Sequence, residues 1–229
     1  MSVGLALFVK SPGRSPVKSR LWPLLGRSEA EALYLDCVES VHEAVQPLQD
    51  EGLLQAYWAV AEAERDGAPF APWTTLPVLM QGEGALGLRM ARVYNALLLR
   101  HEAAVLIGTD LPQLRSLQLR QALQVLFGGG FDLTLGPSED GGFWLVGGRT
   151  RLPLEIWTAP RYSTPQALAD FRGGLPTNLR VATVERLCDL DEPADVETVA
   201  GAMRLLPELS PAQQRVSRRL DAALGSGSG

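Results

Sequence analysis

The sequence contains only two cysteines and two histidines in 229 residues. Cys37 and Cys188 lie far apart, in neither a metal-type nor a redox-type spacing, so a cysteine-based zinc site and a disulfide framework are both excluded. That usage predicts a reduced, cytoplasmic protein whose metal, if it uses one, is held by oxygen ligands. His42 and His101 fall in or at the end of predicted helices, away from every motif below, so a histidine-based triad is not expected. A Gly-x-Ser-x-Gly elbow and a Walker-type loop are also missing. Apolar runs stay well short of the ~18 residues of a membrane span, which predicts no membrane partner. The opening run Val3–Val9 is only strand-length and leads straight into Lys10, unlike a signal peptide. Nor is there a basic excess. With 26 Asp+Glu against 21 Lys+Arg, a nucleic-acid surface is not expected.

A chain of this length can bury a large single core without staples. Val3–Val9 and Ala103–Ile107 are continuous apolar runs, as expected of strands covered on both faces of a mostly parallel sheet. Ala30, Leu33, Tyr34, Cys37, Val38, Val41 and Val45 follow the helical rhythm, which puts Cys37 in the core. Further strands are predicted over Leu53–Ala61, Leu76–Met80, Phe131–Leu135, Phe143–Val146 and Leu179–Val184. Helices are predicted over Leu86–Leu99, Leu114–Phe127, Pro165–Phe171 and Ala194–Leu206, with a polar one from Ser210 and Pro211 to Leu224. The alternation implies an α/β class fold, a three-layer α/β/α sandwich. We read one domain over 1–206, a helical extension over 207–224 and a flexible tail over 225–229.

The charge is unevenly placed. Lys10, Arg14, Lys18, Arg20 and Arg27 all precede the first acid, Glu29, and four of them lie in the loop that follows the first buried strand. The carboxyl end of such a strand is where an α/β sheet binds ligands, and a basic loop there suits phosphate oxygens. Three acidic motifs complement it. Gly108-Thr109-Asp110-Leu111-Pro112 follows the strand at 103–107 and offers a Mg²⁺ ligand, although a helix-capping Asp reads the same way. Gly136-Pro137-Ser138-Glu139-Asp140-Gly141-Gly142 reads as a hairpin turn whose Asp140 is a candidate for chemistry. Asp189-Leu190-Asp191 sets two carboxylates two residues apart, able to share a divalent ion; Asp195 better suits the start of a helix. A glycine-rich junction, Gln81-Gly82-Glu83-Gly84-Ala85-Leu86-Gly87-Leu88-Arg89, offers Gln81 to a nucleobase and Arg89 to an anion.

Taken in order, these motifs resemble the nucleotide-diphospho-sugar transferase superfamily, the glycosyltransferase-A fold. The likeness is closest to bacterial glycosyltransferase-like proteins related to 2-phospho-L-lactate guanylyltransferase. It is carried by Lys18-Ser19-Arg20-Leu21, by Gln81 to Met90, by Gly108 to Pro112, by Gly136 to Gly142, by Ser163-Thr164-Pro165 and by Asp189 to Asp195. The resemblance implies that Asp110 and Asp191 bind Mg²⁺ or Mn²⁺. It assigns Lys10, Arg14, Lys18, Arg20, Gln81, Gly82 and Arg89 to the nucleotide, and Gly141, Gly142, Ser163 and Thr164 to the acceptor. Lys18, Arg20, Asp110 and Asp140 would carry the reaction. The implied partners are a nucleotide or nucleotide-sugar donor and a small-molecule acceptor; a homodimer is compatible with these features. The activity is then glycosyl transfer, or nucleotidyl transfer from a triphosphate to a phosphorylated acceptor. The competing class is a nucleotide-binding regulatory module without turnover. Three separate carboxylates argue against it, since a binder needs cations more than acids.

Overall fold

The computed structural model describes residues 2–62, 73–128 and 130–226. Its elements run β1 (Val3–Val9), α1 (Trp22–Leu25), α2 (Arg27–Asp50), β2 (Gln55–Val60), β3 (Val78–Met80), α3 (Leu86–Leu98) and β4 (Ala103–Ile107). Then follow α4 (Ser116–Gly128), β5 (Leu133–Pro137), β6 (Phe143–Gly148), α5 (Leu154–Thr158), α6 (Ala167–Gly174), β7 (Val181–Thr183), α7 (Asp195–Arg204) and α8 (Pro211–Ser226). One seven-stranded sheet results, in the order β3-β2-β1-β4-β6-β5-β7. β6 alone runs antiparallel to its neighbours β4 and β5, and the other pairings are parallel.

Alternation along β1 shows why two helical layers are needed. Val3, Leu5, Leu7 and Val9 pack under α2 and α4, whereas Ala6 and Phe8 turn to the layer formed by α3, α5 and α6. β5 and β6 form the hairpin expected at Asp140-Gly141-Gly142, closed by a bond from Ser138 N to Gly142 O. β6 extends two residues beyond the predicted Val146, to Gly147 and Gly148, where side chains have no room. A Cβ at Gly148 would meet Tyr94 and Leu133.

Several segments depart from the sequence reading, the short helix Trp22–Leu25 among them. Leu154–Thr158 is a short helix that buries Ile156 and Trp157, although no period could announce five residues. The C-terminal helix, read as polar, buries Ala212 and turns Val216, Leu220 and Ala223 inward to complete a third cluster with α2 and α7. Of the expected tail, Gly225 and Ser226 belong to α8, and 227–229 lie outside the described residues. Among the described residues no helix is long and apolar enough to cross a membrane.

Charge fixes α8 in place as well. The buried carboxylate of Asp36 on α2 accepts from Arg215 at 2.5 Å and from Arg219 at 2.7 Å, and Arg219 also pairs with Glu29. Removing the carboxylate leaves Arg215 without this partner and Arg219 with Glu29 alone, and each guanidinium retains some water. We therefore expect Asp36→Ala to lower stability by about 2 kcal/mol in a denaturant titration. An unchanged midpoint would mean that the Asp36 pairs add nothing to the docking of α8.

Candidate active site

A cleft of ≈840 Å³ opens at the carboxyl ends of β1 and β4. It brings together Lys18, Arg20, Gly108, Asp110, Asp140, Gly142, Ser163, Thr164 and Asp191. The expected nucleotide ligands Lys10, Arg14, Gln81, Gly82 and Arg89 are not among the residues lining it, nor is Gly141.

Lys18 sits at the centre. After β1 the chain folds into a turn in which Arg14 N and Ser15 N donate to Ser11 O. Buried Val17 and Leu21 then pin the backbone on either side of Lys18, whose φ of 48° turns its side chain inward. The ammonium pairs with Asp110, lies 3.1 Å from Asp191, and donates to the carbonyl of Leu190. Burial alone would lower the pKa of this lysine, but Asp110 and Asp191 outweigh it and hold the group well above the ordinary range. The sequence reading sent this side chain toward phosphates. Here it lies between the two carboxylates expected to bind metal.

Each carboxylate is held by its own loop. Thr109 donates its hydroxyl to Phe8 O, which ties the turn after β4 onto β1, and Leu190 N donates to Asp110 O. Burial pushes the Asp110 carboxyl up, Lys18 pulls it down and Asp191 pushes it up again, with a net upward shift. Asp195 accepts from the backbone N–H groups of Asp191 at 2.9 Å and Glu192 at 2.7 Å, and so orients the Asp191 loop from the start of α7. Asp195 is the first residue of α7, as the helix-start reading expects. Asp189, which sequence reasoning treated only as the partner of Asp191, also lines the cleft. Burial, and then the charges of Asp110, Asp191 and Asp140, push its carboxyl up to about 8.

The opposite wall comes from the β5–β6 hairpin and the segment before α6. Asp140 lines the cleft and accepts from Gly142 N at 2.8 Å through one oxygen, which leaves its other oxygen outside that bond. Ser163 has φ 59°. Lys18 and Ser163 are the only non-glycine residues among those described with positive φ, and both line the cleft. Such strain persists only where surrounding structure imposes it, and it gathers at functional sites. The Thr164 hydroxyl is engaged locally, donating to Arg161 O. Leu86, Met90, Phe143 and Tyr162 supply an apolar face that sequence reasoning did not assign.

Outside the cleft, the Gln81 amide donates to Val9 O and Ala59 O and braces β1 against β2. To face a base it would have to surrender both bonds. Arg89 donates to Gly84 O, and Lys10 N donates to the Tyr34 hydroxyl. His42 and His101 pack on Trp58 and Tyr57. Both thiols are pushed up to about 12, chiefly by burial, so neither cysteine is a thiolate nucleophile at neutral pH.

Seven carboxylates face this cleft: Asp110, Glu139, Asp140, Asp189, Asp191, Glu192 and Asp195. Two cations, Lys18 and Arg20, oppose them. Arg20 is itself paired with Glu192 at 2.8 Å. Among the described residues no three side chains of the ligand types converge to hold a metal alone. A two-carboxylate site whose remaining positions are filled by phosphate oxygens is the arrangement Mg²⁺ favours. Asp110 and Asp191 fit that group.

A mixed sheet in this order, with its cleft at the strand ends, defines the nucleotide-diphospho-sugar transferase type of α/β fold. The chain belongs to the bacterial family DUF2064, described as uncharacterized proteins conserved in bacteria, whose profile matches residues 44–164. Among solved structures it is similar to a candidate nucleotide-diphospho-sugar transferase from Desulfovibrio desulfuricans G20. That match has 22% identity and a TM-score of 0.85, over 99% of this chain and 98% of the other. A CMP:2-keto-3-deoxy-manno-octonic acid synthetase complexed with CTP matches at 14% identity and TM-score 0.54, over 89% of this chain and 99% of the other. Glucosyl-3-phosphoglycerate synthase from Mycobacterium tuberculosis, in complex with Mn²⁺, UDP-glucose and phosphoglyceric acid, matches at 14% and 0.53, over 98% and 80%. No curated protein sequence matches the chain significantly.

Proposed function

We propose that this chain is a metal-dependent transferase that uses a nucleotide-diphosphate donor and passes its sugar to a hydroxyl acceptor. The observation that carries the reading is the charge of the cleft. With Asp189 largely protonated at neutral pH, six carboxylates against two cations still repel a diphosphate unless a divalent ion accompanies it, and Asp110 and Asp191 would receive that ion. When bound, the ion would neutralise charge on the leaving diphosphate. Lys18 and Arg20 would add cationic donors to the same phosphates, one as a point charge and one as a fork.

The acceptor end separates the two chemistries. Its described lining includes Glu139, Asp140, Phe143, Tyr162, Ser163 and Thr164, with no lysine, arginine or histidine. A phosphate acceptor would meet two acids and no cation there. A hydroxyl instead benefits from a base, and the Asp140 oxygen not bonded to Gly142 N can take its proton. The acceptor oxygen then bonds to the anomeric carbon, and the nucleoside diphosphate leaves with the former glycosidic electron pair. Gly142, Ser163 and Thr164 form the wall against which the acceptor would rest, its rings flanked by Phe143 and Tyr162. Lys10, Arg14, Gln81, Gly82 and Arg89 would reach only parts of a nucleotide that extend past the cleft.

Nucleotidyl transfer is the second reading, since the same cations and carboxylates would serve a triphosphate. A thermal-shift panel of nucleoside triphosphates and nucleotide sugars, each with and without Mn²⁺, decides between them. We expect a Mn²⁺-dependent rise with one nucleotide sugar. A rise confined to a triphosphate would replace glycosyl by nucleotidyl transfer, and no rise with any donor would remove the donor site.

A further inference from the structure

The position of Lys18 constrains how the metal can arrive. Its three ammonium hydrogens face three acceptors, the carboxylates of Asp110 and Asp191 and the carbonyl of Leu190, so the group is saturated. Its side chain is 1% exposed. A divalent ion bound to both carboxylates would lie about 2.0–2.6 Å from their oxygens. The ammonium already fills that space beside one oxygen of each carboxylate, and two cations cannot share it at such a separation. Val17 and Leu21 fix the backbone, so the four-carbon stem is the part free to swing. A buried ammonium that gives up two carboxylates needs another anion, or it is left uncompensated. A donor diphosphate in the cleft is such an anion.

We propose that Lys18 is a built-in competitor for the divalent ion on Asp110 and Asp191. The ion therefore enters as its complex with the donor diphosphate, which draws the ammonium off the carboxylates. This inference rests on the metal-dependent transferase reading above. It has a thermodynamic consequence: metal and diphosphate each strengthen binding of the other, by the same factor. The same latch keeps a bare divalent ion out of a strongly acidic cleft.

The test is equilibrium dialysis of Mn²⁺ against the full chain and against Lys18→Met, with and without inorganic pyrophosphate, counting the Mn²⁺–pyrophosphate complex separately. Pyrophosphate is the probe because it carries no base. Wild type should take up Mn²⁺ alone weakly, and pyrophosphate should raise its affinity by roughly 10-fold or more. Lys18→Met should bind Mn²⁺ alone about 10-fold more tightly than wild type and lose most of the gain from pyrophosphate. The proposal is overturned if the variant binds Mn²⁺ no more tightly, or if pyrophosphate adds nothing to the wild type. Should Lys18→Met fail to give a folded circular-dichroism spectrum, Lys18→Gln replaces it, and the wild-type comparison remains decisive by itself. Mn²⁺ that reaches neither protein under any condition would instead overturn the metal site, and the latch with it.

Discussion

Asp110→Asn is expected to slow transfer by roughly 10³-fold, the several kcal/mol that a metal contact supplies to a developing charge. The substitution keeps the shape and one acceptor oxygen, so Lys18 retains a polar partner there and its full charge partner in Asp191. Folding should therefore survive. The distinguishing feature is a split between ligands. The Mn²⁺-dependent part of the donor's thermal shift should vanish, while any metal-independent part stays. A regulatory binder without turnover would show the opposite pattern, with donor binding intact and no rate to lose. Retention of both the rate and the Mn²⁺ response would remove Asp110 from the metal site.

Gly141→Ala is expected to cost about 3 kcal/mol. Gly141 has φ 86°, a region where an L side chain costs about 1–2 kcal/mol, and its added Cβ would run into the carbonyl of Pro165. Neither neighbour can step aside cheaply. Gly141 O accepts from Leu168 N at the start of α6, and Gly142 N is held by Asp140. For a chain of this size the loss corresponds to a Tm lower by about 6–12 °C. Because Pro165 follows Ser163 and Thr164, the same collision displaces the acceptor wall. The acceptor KM should then rise while the Mn²⁺-dependent donor shift persists. An unchanged Tm would show that the β5–β6 turn opens without strain.

Much of the frame is legible in the sequence because burial leaves a direct imprint on composition. β1 and β4 are apolar at nearly every position since both faces are covered, and α3 starts and stops within one residue of expectation. α8 could not be read the same way. Its apolar positions are sparse and include three alanines, and only the presence of α2 and α7 turns Val216, Leu220 and Ala223 into a seam. In the site, the family resemblance groups Asp110, Asp140, Ser163 and Asp191, and the cleft holds all four. What sequence could not supply was direction. A lysine in a basic loop reads as reaching outward, yet φ 48° turns Lys18 back onto the acids. A glutamine after a strand reads as reaching toward a ligand, yet the carbonyls of Val9 and Ala59 claim Gln81. Asp189 was masked by its neighbour, because its distinguishing property is burial, which a run of acids does not reveal.

Anomalous scattering at the manganese edge, from crystals of the full chain grown with Mn²⁺ and pyrophosphate, tests the central claim most directly. The account requires a peak in contact with carboxylate oxygens of both Asp110 and Asp191, with the Lys18 ammonium moved onto a phosphate oxygen. A Mn²⁺ ion bound elsewhere, or a diphosphate seated in the cleft while Lys18 still joins the two carboxylates, would contradict it.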